Sequence, residues 1–243
     1  MARHRAVTTS APHRHAHVLR DGAESLAAAA ELAAQRHQAA LDRLRTSGLL
    51  AITVPAVHGG ADVGSAVAGE VVDLLAAADR GLAGHLRGHL AHVDALRRWG
   101  STAQQVFFFA EVLAGSRFGG RSRDLGTGPA TARLSADGPC RYRLDGTVRG
   151  DGSIWLADWI AVPARGDDGG IHLAYVSAGS PGVDVLGRWQ GTDRRGRAGV
   201  TVRLRDVLVP GGQVIPNDPA PHRSGAPRPA VRCSAPYRRD REK

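Results

Sequence analysis

At 243 residues and 42% apolar side chains, the chain is long enough for one large or two small domains around a sizeable core. Its net charge of +9 is concentrated at the ends, where residues 1–20 hold Arg3, Arg5, Arg14 and Arg20 with no acid, and residues 217–243 hold six arginines and Lys243 against Asp218, Asp240 and Glu242. A phosphate-binding surface needs charge clustered on a folded face, so no specific nucleic-acid partner is expected, and no run approaches the ~18 apolar residues of a membrane span.

Residues 1–20 are expected to be disordered. Lys243 is the only lysine, while arginine and alanine are plentiful. GC-rich coding would produce that bias, so the arginines are not each assigned a role. The Arg-rich start has no apolar h-region, which leaves secretion unsupported and the cytoplasm as the default location. Cys140 and Cys233 match no metal or redox spacing and read as free thiols.

From about Ala23 to Arg45 the chain is rich in Ala, Leu, Glu, Gln and Arg without Pro or Gly, which favours a helix. Ser47-Gly48 ends it, and Leu49 to Val54 is a short apolar segment. A second helix fits Gly64 to Ala78, with Val67, Val71, Leu74 and Leu75 on one side. A third fits Leu82 to Trp99. Ser101-Thr102-Ala103-Gln104 has the form of a capping box opening a fourth helix, which ends at Gly115.

After Gly115, turn residues separate short segments of strand character: Ala130–Ser135, Arg141–Arg149, Asp158–Val162, Ile171–Ser177, Val183–Leu186 and Gly199–Arg205. Asp145-Gly146 inside the second is a hairpin signal. The expected fold class is α+β: a helical domain at 21–116, then an antiparallel, barrel-like β domain at 117–216. Residues 217–243, basic and proline-rich, are expected to be a disordered tail.

His85, His89 and His92 recur at helical spacing on one face of the third helix. Imidazoles so placed could ligate zinc, but no Cys or carboxylate completes a metal signature, so surface or interface histidines are expected and no metal is assigned. Gly126-Thr127-Gly128 lacks the preceding strand and following helix of a dinucleotide loop. No P-loop or GxSxG occurs.

The order of helices and strands, with "SGLLAITVPAVHGGADV" (47–63), "AAADRGLAGHLRGHLAHVDALRRWGS" (76–101) and "FFFAEVLAGSRFG" (107–119), resembles the acyl-CoA dehydrogenase superfamily. "RYRLDG" (141–146), "LADWIAV" (156–162) and "VDVLGRWQGTDRRGRAGVTVRLRDVLVPGGQVIP" (183–216) are similar to its β domain. The nearest branch is that of flavin-dependent sulfur-acquisition oxidoreductases related to dibenzothiophene monooxygenase. The resemblance implies a flavin (FMN or FAD), a small-molecule substrate, a homo-oligomer and a C-terminal helical bundle.

That bundle would begin near residue 220 and supply the catalytic base, so the chain is expected to lack it and no catalytic residue is assigned. Two β-domain loops would line the flavin, placing Ser122, Arg123 and Asp124 in one and Asp151, Gly152 and Ser153 in the other. Both depart from the family pattern. Arg123 stands where a flavin-bonding hydroxyl is usual, and Arg149, Gly150, Asp151 and Gly152 stand in place of aromatic and hydroxyl residues. The resemblance therefore implies either an impaired oxidoreductase or a non-catalytic interaction module. The departures themselves favour reading residues 149–153 as an exposed turn whose glycines supply positive φ.

Overall fold

A computed structural model describes residues 39–120, 132–186 and 200–216. The chain divides into two units, residues 1–42 and 43–243. Of the first, only residues 39–42 are described, and they are helical. Residues 39–46 are assigned to helix α1.

In the second unit, left-handed Gly48 (φ 78°) turns the chain into a 3-10 turn at Leu49–Ala51. Helices α2 (Ser65–Ala78), α3 (Arg80–Trp99) and α4 (Thr102–Leu113) follow. Asp79 caps α3 by accepting from the Leu82 N–H at 2.9 Å. The capping box is present as the sequence predicts: Gln104 N–H donates to Ser101 Oγ at 3.3 Å, and Ser101 N–H donates to Gln104 Oε1 at 2.8 Å.

Only half of the predicted face of α2 is covered, with Val71 and Leu75 half-buried. Ala68 and Val72 point inward, whereas Val67 is 48% and Leu74 75% exposed. An alanine-rich helix offers two faces of similar hydrophobicity, so its period does not decide which one packs. The histidines of α3 are likewise corrected, because His89 and His92 are buried core residues rather than surface ones.

Among the described residues eight strands follow: β1 (Phe118–Gly119), β2 (Ala132–Ala136), β3 (Arg141–Gly150), β4 (Trp159–Gly166), β5 (Ile171–Ser177), β6 (Val183–Leu186), β7 (Val200–Pro210) and β8 (Val214–Pro216). The fold is α+β as expected. The sheet is open, in the order β6-β7-β3-β2-β4-β5-β8, with β1 beside β4. It is mostly antiparallel, but β1 and β2 each run parallel to β4. Its core gathers Leu134, Leu144, Ile160, Val162, Val202 and Val207 from alternating positions.

Asp145-Gly146 does not turn a hairpin. Strand β3 runs straight through it, and the register against β7 shifts between Leu144 and Gly146. Gly146 has φ 133°, and Asp206 opposite has φ 52°. The Asp206 N–H donates to Asp145 Oδ1 at 2.7 Å, and Arg143 pairs with Asp206. The pair faces a bulge instead, whose extra residue lies on β7, where Arg205 and Asp206 stand between the partners of Gly146 and Leu144.

Cys140, expected as a free thiol, forms a disulfide. No described helix is long and apolar enough to cross a membrane.

Candidate functional site

The two loops implied to line a cofactor begin at neighbouring points of the sheet. Strand β1 ends at Gly119, whose register partner is Ile160 on β4. Strand β3 ends at Gly150, and a 3-10 turn at Gly152–Leu156 carries the chain back to β4. Ser122, Arg123 and Asp124 lie outside the described residues. Asp151, Gly152 and Ser153 are described, together with Gly120 at the start of the other loop.

Gly120 and Ser153 meet directly: the Gly120 N–H donates to Ser153 Oγ at 3.1 Å. Ser153 is fixed from its other side by Asp151, whose Oδ1 accepts from the Ser153 N–H at 3.0 Å and from the Ser153 hydroxyl. Asp151 thereby caps the 3-10 turn. Contact between the loops requires small residues on the β1 side. A Cβ on Gly119 would lie 2.7 Å from both Ala157 Cβ and Ser153 O, and one on Gly120 (φ 140°) would lie 2.7 Å from Ala161 O.

The 149–153 segment is not the exposed turn with positive-φ glycines read from the sequence. Gly152 and Ile154 are buried, and neither Gly150 nor Gly152 has positive φ. Gly150 instead lies against Ile154, whose terminal Cδ1 would have to move aside for a Cβ only 1.9 Å away. Arg149 is exposed on β3, opposite Thr201.

Helix α3 packs against β1 and the 3-10 turn, bringing its histidines beneath this corner. His89 Nδ1 accepts from the Phe118 N–H at 3.0 Å, while its Nε2 lies 3.0 Å from Leu50 O. The accepting Nδ1 puts the ring proton on Nε2, which donates to Leu50 O, so His89 is a neutral crosslink between α3, β1 and the first 3-10 turn. Burial drives its pKa down to about 4, against the opposing Leu50 hydrogen bond.

His92 is fully buried and its pKa is also lowered to about 4 by burial, with the Asp151 carboxylate and the Gly120 backbone acting in the opposite sense. Neither of its ring nitrogens makes a hydrogen bond of normal geometry. Phe118 and Tyr175 contact its ring, and Phe108 and Trp159 extend that aromatic cluster in edge-to-face and tilted contacts. Trp159 Nε1 and Ser116 Oγ both donate to Glu111 Oε2, at 3.0 and 2.9 Å. These buried residues were missed because aromatic and histidine spacing on a helix does not say which face is covered. Among the described residues, no group of three His, Cys, Asp or Glu is placed to hold a metal ion.

Residues 15–116 match the family model "Acyl-CoA dehydrogenase, N-terminal domain". None of the curated proteins matches the chain. Among solved structures, FkbI for biosynthesis of the methoxymalonyl extender unit of the Fk520 polyketide is 26% identical, with a TM-score of 0.61 over 72% of this chain and 50% of its own. Dibenzothiophene monooxygenase TdsC from Paenibacillus sp. A11-2 is 22% identical, with a TM-score of 0.64 over 74% and 46%. A glutaryl-CoA dehydrogenase from Mycobacterium smegmatis, solved with FADH2, is 24% identical, with a TM-score of 0.59 over 73% and 47%. TdsC has also been solved with FMN and indole. The chain spans about half the length of these structures.

Proposed function

We propose that this chain is part of a flavin-dependent oxidoreductase of the acyl-CoA dehydrogenase kind, on the sulfur-acquisition monooxygenase side, acting on a small-molecule substrate with a weakened flavin edge. One observation supports the reading above the others. Gly120 and Ser153, 33 residues apart in the chain, begin and end the two loops implied to line a flavin, and they are hydrogen-bonded to each other.

The described part of that edge does not by itself fit a flavin. Ser153 Oγ gives its proton to Asp151 and accepts from the Gly120 N–H, so it has no proton left to donate toward a ring edge. Gly150 and Gly152 offer no side-chain stacking surface, and the Asp151 carboxylate would oppose the negative charge that a flavin ring gains on reduction. No chemical step is therefore assigned to these residues.

A second reading, a non-catalytic interaction module, is favoured by the apolar side chains of Val67 and Leu74 exposed on α2. Titrating FMN and FAD separately against the purified full chain, by flavin fluorescence and visible absorbance, distinguishes the two. Micromolar binding of either flavin supports the oxidoreductase; colourless protein that quenches neither leaves the module. A reducing cytoplasm would open the Cys140 disulfide, so thiol titration without reductant on the same preparation tests the cytoplasmic placement.

A further inference from the structure

Helix α3 packs against β1, and His89 already ties the two, its Nδ1 accepting from the Phe118 N–H at 3.0 Å. His92 follows one turn later, about 4.5 Å along the helix axis. Gly120 follows Phe118 by two residues, about 6.6 Å along an extended chain. The two steps are of the same order, so successive turns of α3 can each serve an alternate residue of this short segment.

His92 is 0% exposed and packs against Phe118 and Tyr175, with ring centroids 6.5 and 6.0 Å away. A neutral imidazole carries one N–H, and burial makes an unpaired N–H costly. Two acceptors lie beside the ring: the Asp151 carboxylate, acting through its charge, and the Gly120 backbone, acting as a hydrogen-bonding group. Asp151 Oδ1 is engaged twice by Ser153, by its N–H at 3.0 Å and by its hydroxyl. Gly120 gives its own N–H to Ser153 Oγ at 3.1 Å, which leaves its carbonyl to meet the ring. A carbonyl favours the protonated imidazole, and that is the sense in which the Gly120 backbone acts on His92. In the structure this approach falls outside normal hydrogen-bond geometry, and the pairing is what we infer.

We propose that His92 is a positioning residue, whose single ring proton is donated to the Gly120 carbonyl. Gly120 is then held at both its polar groups, by Ser153 through the N–H and by His92 through the carbonyl. With His89 on Phe118, α3 clamps the backbone on both sides of Gly119 and fixes the point at which the chain leaves the sheet. The consequence for a cofactor rests on the flavin reading, in which the loop leaving Gly120 lines one edge of the ring; the clamp itself does not.

The test uses the full chain without flavin, isotope-labelled, in solution near neutral pH. Long-range nitrogen–proton NMR correlations should show His92 as one fixed neutral tautomer, its N–H coupled across a hydrogen bond to the Gly120 carbonyl carbon. Absence of that coupling overturns the proposal, and so does a ring proton coupled instead to the Asp151 carboxylate. His92→Leu adds a second reading. Hydrogen exchange at the Gly120 amide should quicken by at least about tenfold more than along the β3–β7 ladder, since a global loss of stability would speed both by the same factor. Equal factors overturn the proposal. Because no flavin is present, a failed clamp leaves the flavin reading standing, and a failed flavin titration leaves the clamp.

Discussion

His89 illustrates how one side chain can hold three segments. It satisfies the Phe118 N–H and the Leu50 carbonyl at 3.0 Å each, both buried. A leucine of similar volume would strand both, and stranded buried groups cost about 1–3 kcal/mol apiece. We expect His89→Leu to lower stability by roughly 2–5 kcal/mol, read from the urea midpoint at neutral pH. A loss below about 1 kcal/mol would mean that the crosslink is dispensable. Gly150 makes a different point. An added methyl must displace Ile154 Cδ1, only 1.9 Å away, so Gly150→Ala should cost about 1–3 kcal/mol. Ile154→Val removes that terminal carbon, and the double variant should therefore cost less than the sum of the singles. Additive losses would show that Ile154 is not the obstacle. The same contact means that an aromatic residue at 150 would disturb the core before it could stack on any ring.

At the scale of elements, caps and bulges carry much of the specification. Gln104 serves two structures at once, closing the α4 capping box through Oε1 and donating through Nε2 to the Val214 carbonyl on β8 at 2.8 Å. Ser101 serves only the helix. Ser101→Ala should cost about 1 kcal/mol, and Gln104→Ala should cost more by about the penalty of one stranded buried carbonyl. Equal losses from chemical denaturation would place the β8 contact outside the energetics. The capping box was legible in sequence because it is local, four residues whose own atoms complete it. The bulge opposite Asp145-Gly146 was not, because the same dipeptide can turn a hairpin or run on through a strand. The choice is made by β7, 61 residues further along the chain, through Asp206.

At the scale of the whole molecule, two buried imidazoles make stability depend on pH. His89 and His92 titrate near 6.5 when unfolded and at about 4 in the fold, where burial disfavours the charged ring. Between those values the unfolded chain takes up protons that the folded chain does not. Stability is therefore complete above about pH 6.5 and falls as pH drops toward 4, by up to the order of 3 kcal/mol per ring at about 1.4 kcal/mol per pH unit. Urea midpoints at pH 7 and pH 4.5 should show the loss, and His92→Leu should roughly halve it. A variant with the unchanged pH slope would assign the effect to other groups.

What the sequence determined by itself was the set of local features. Helices α3 and α4, six of the eight described strands to within about five residues at their ends, and the change from helix to strand after Leu113 all follow from periodicity, caps and turn residues read over short windows. The family-like order of segments also gave the two loops that the fold brings together at Gly120 and Ser153. What only the tertiary structure decided was which of two similar faces is covered, as on α2, and whether a polar residue lies in water or in the core, as with His89 and His92. The two-residue β1 and three-residue β8 are too short for any pattern and exist because β4 and β5 offer them edges. Each of those outcomes depends on groups far apart in the chain, and the free energy of burying or pairing them is set by the partner, which no local window contains.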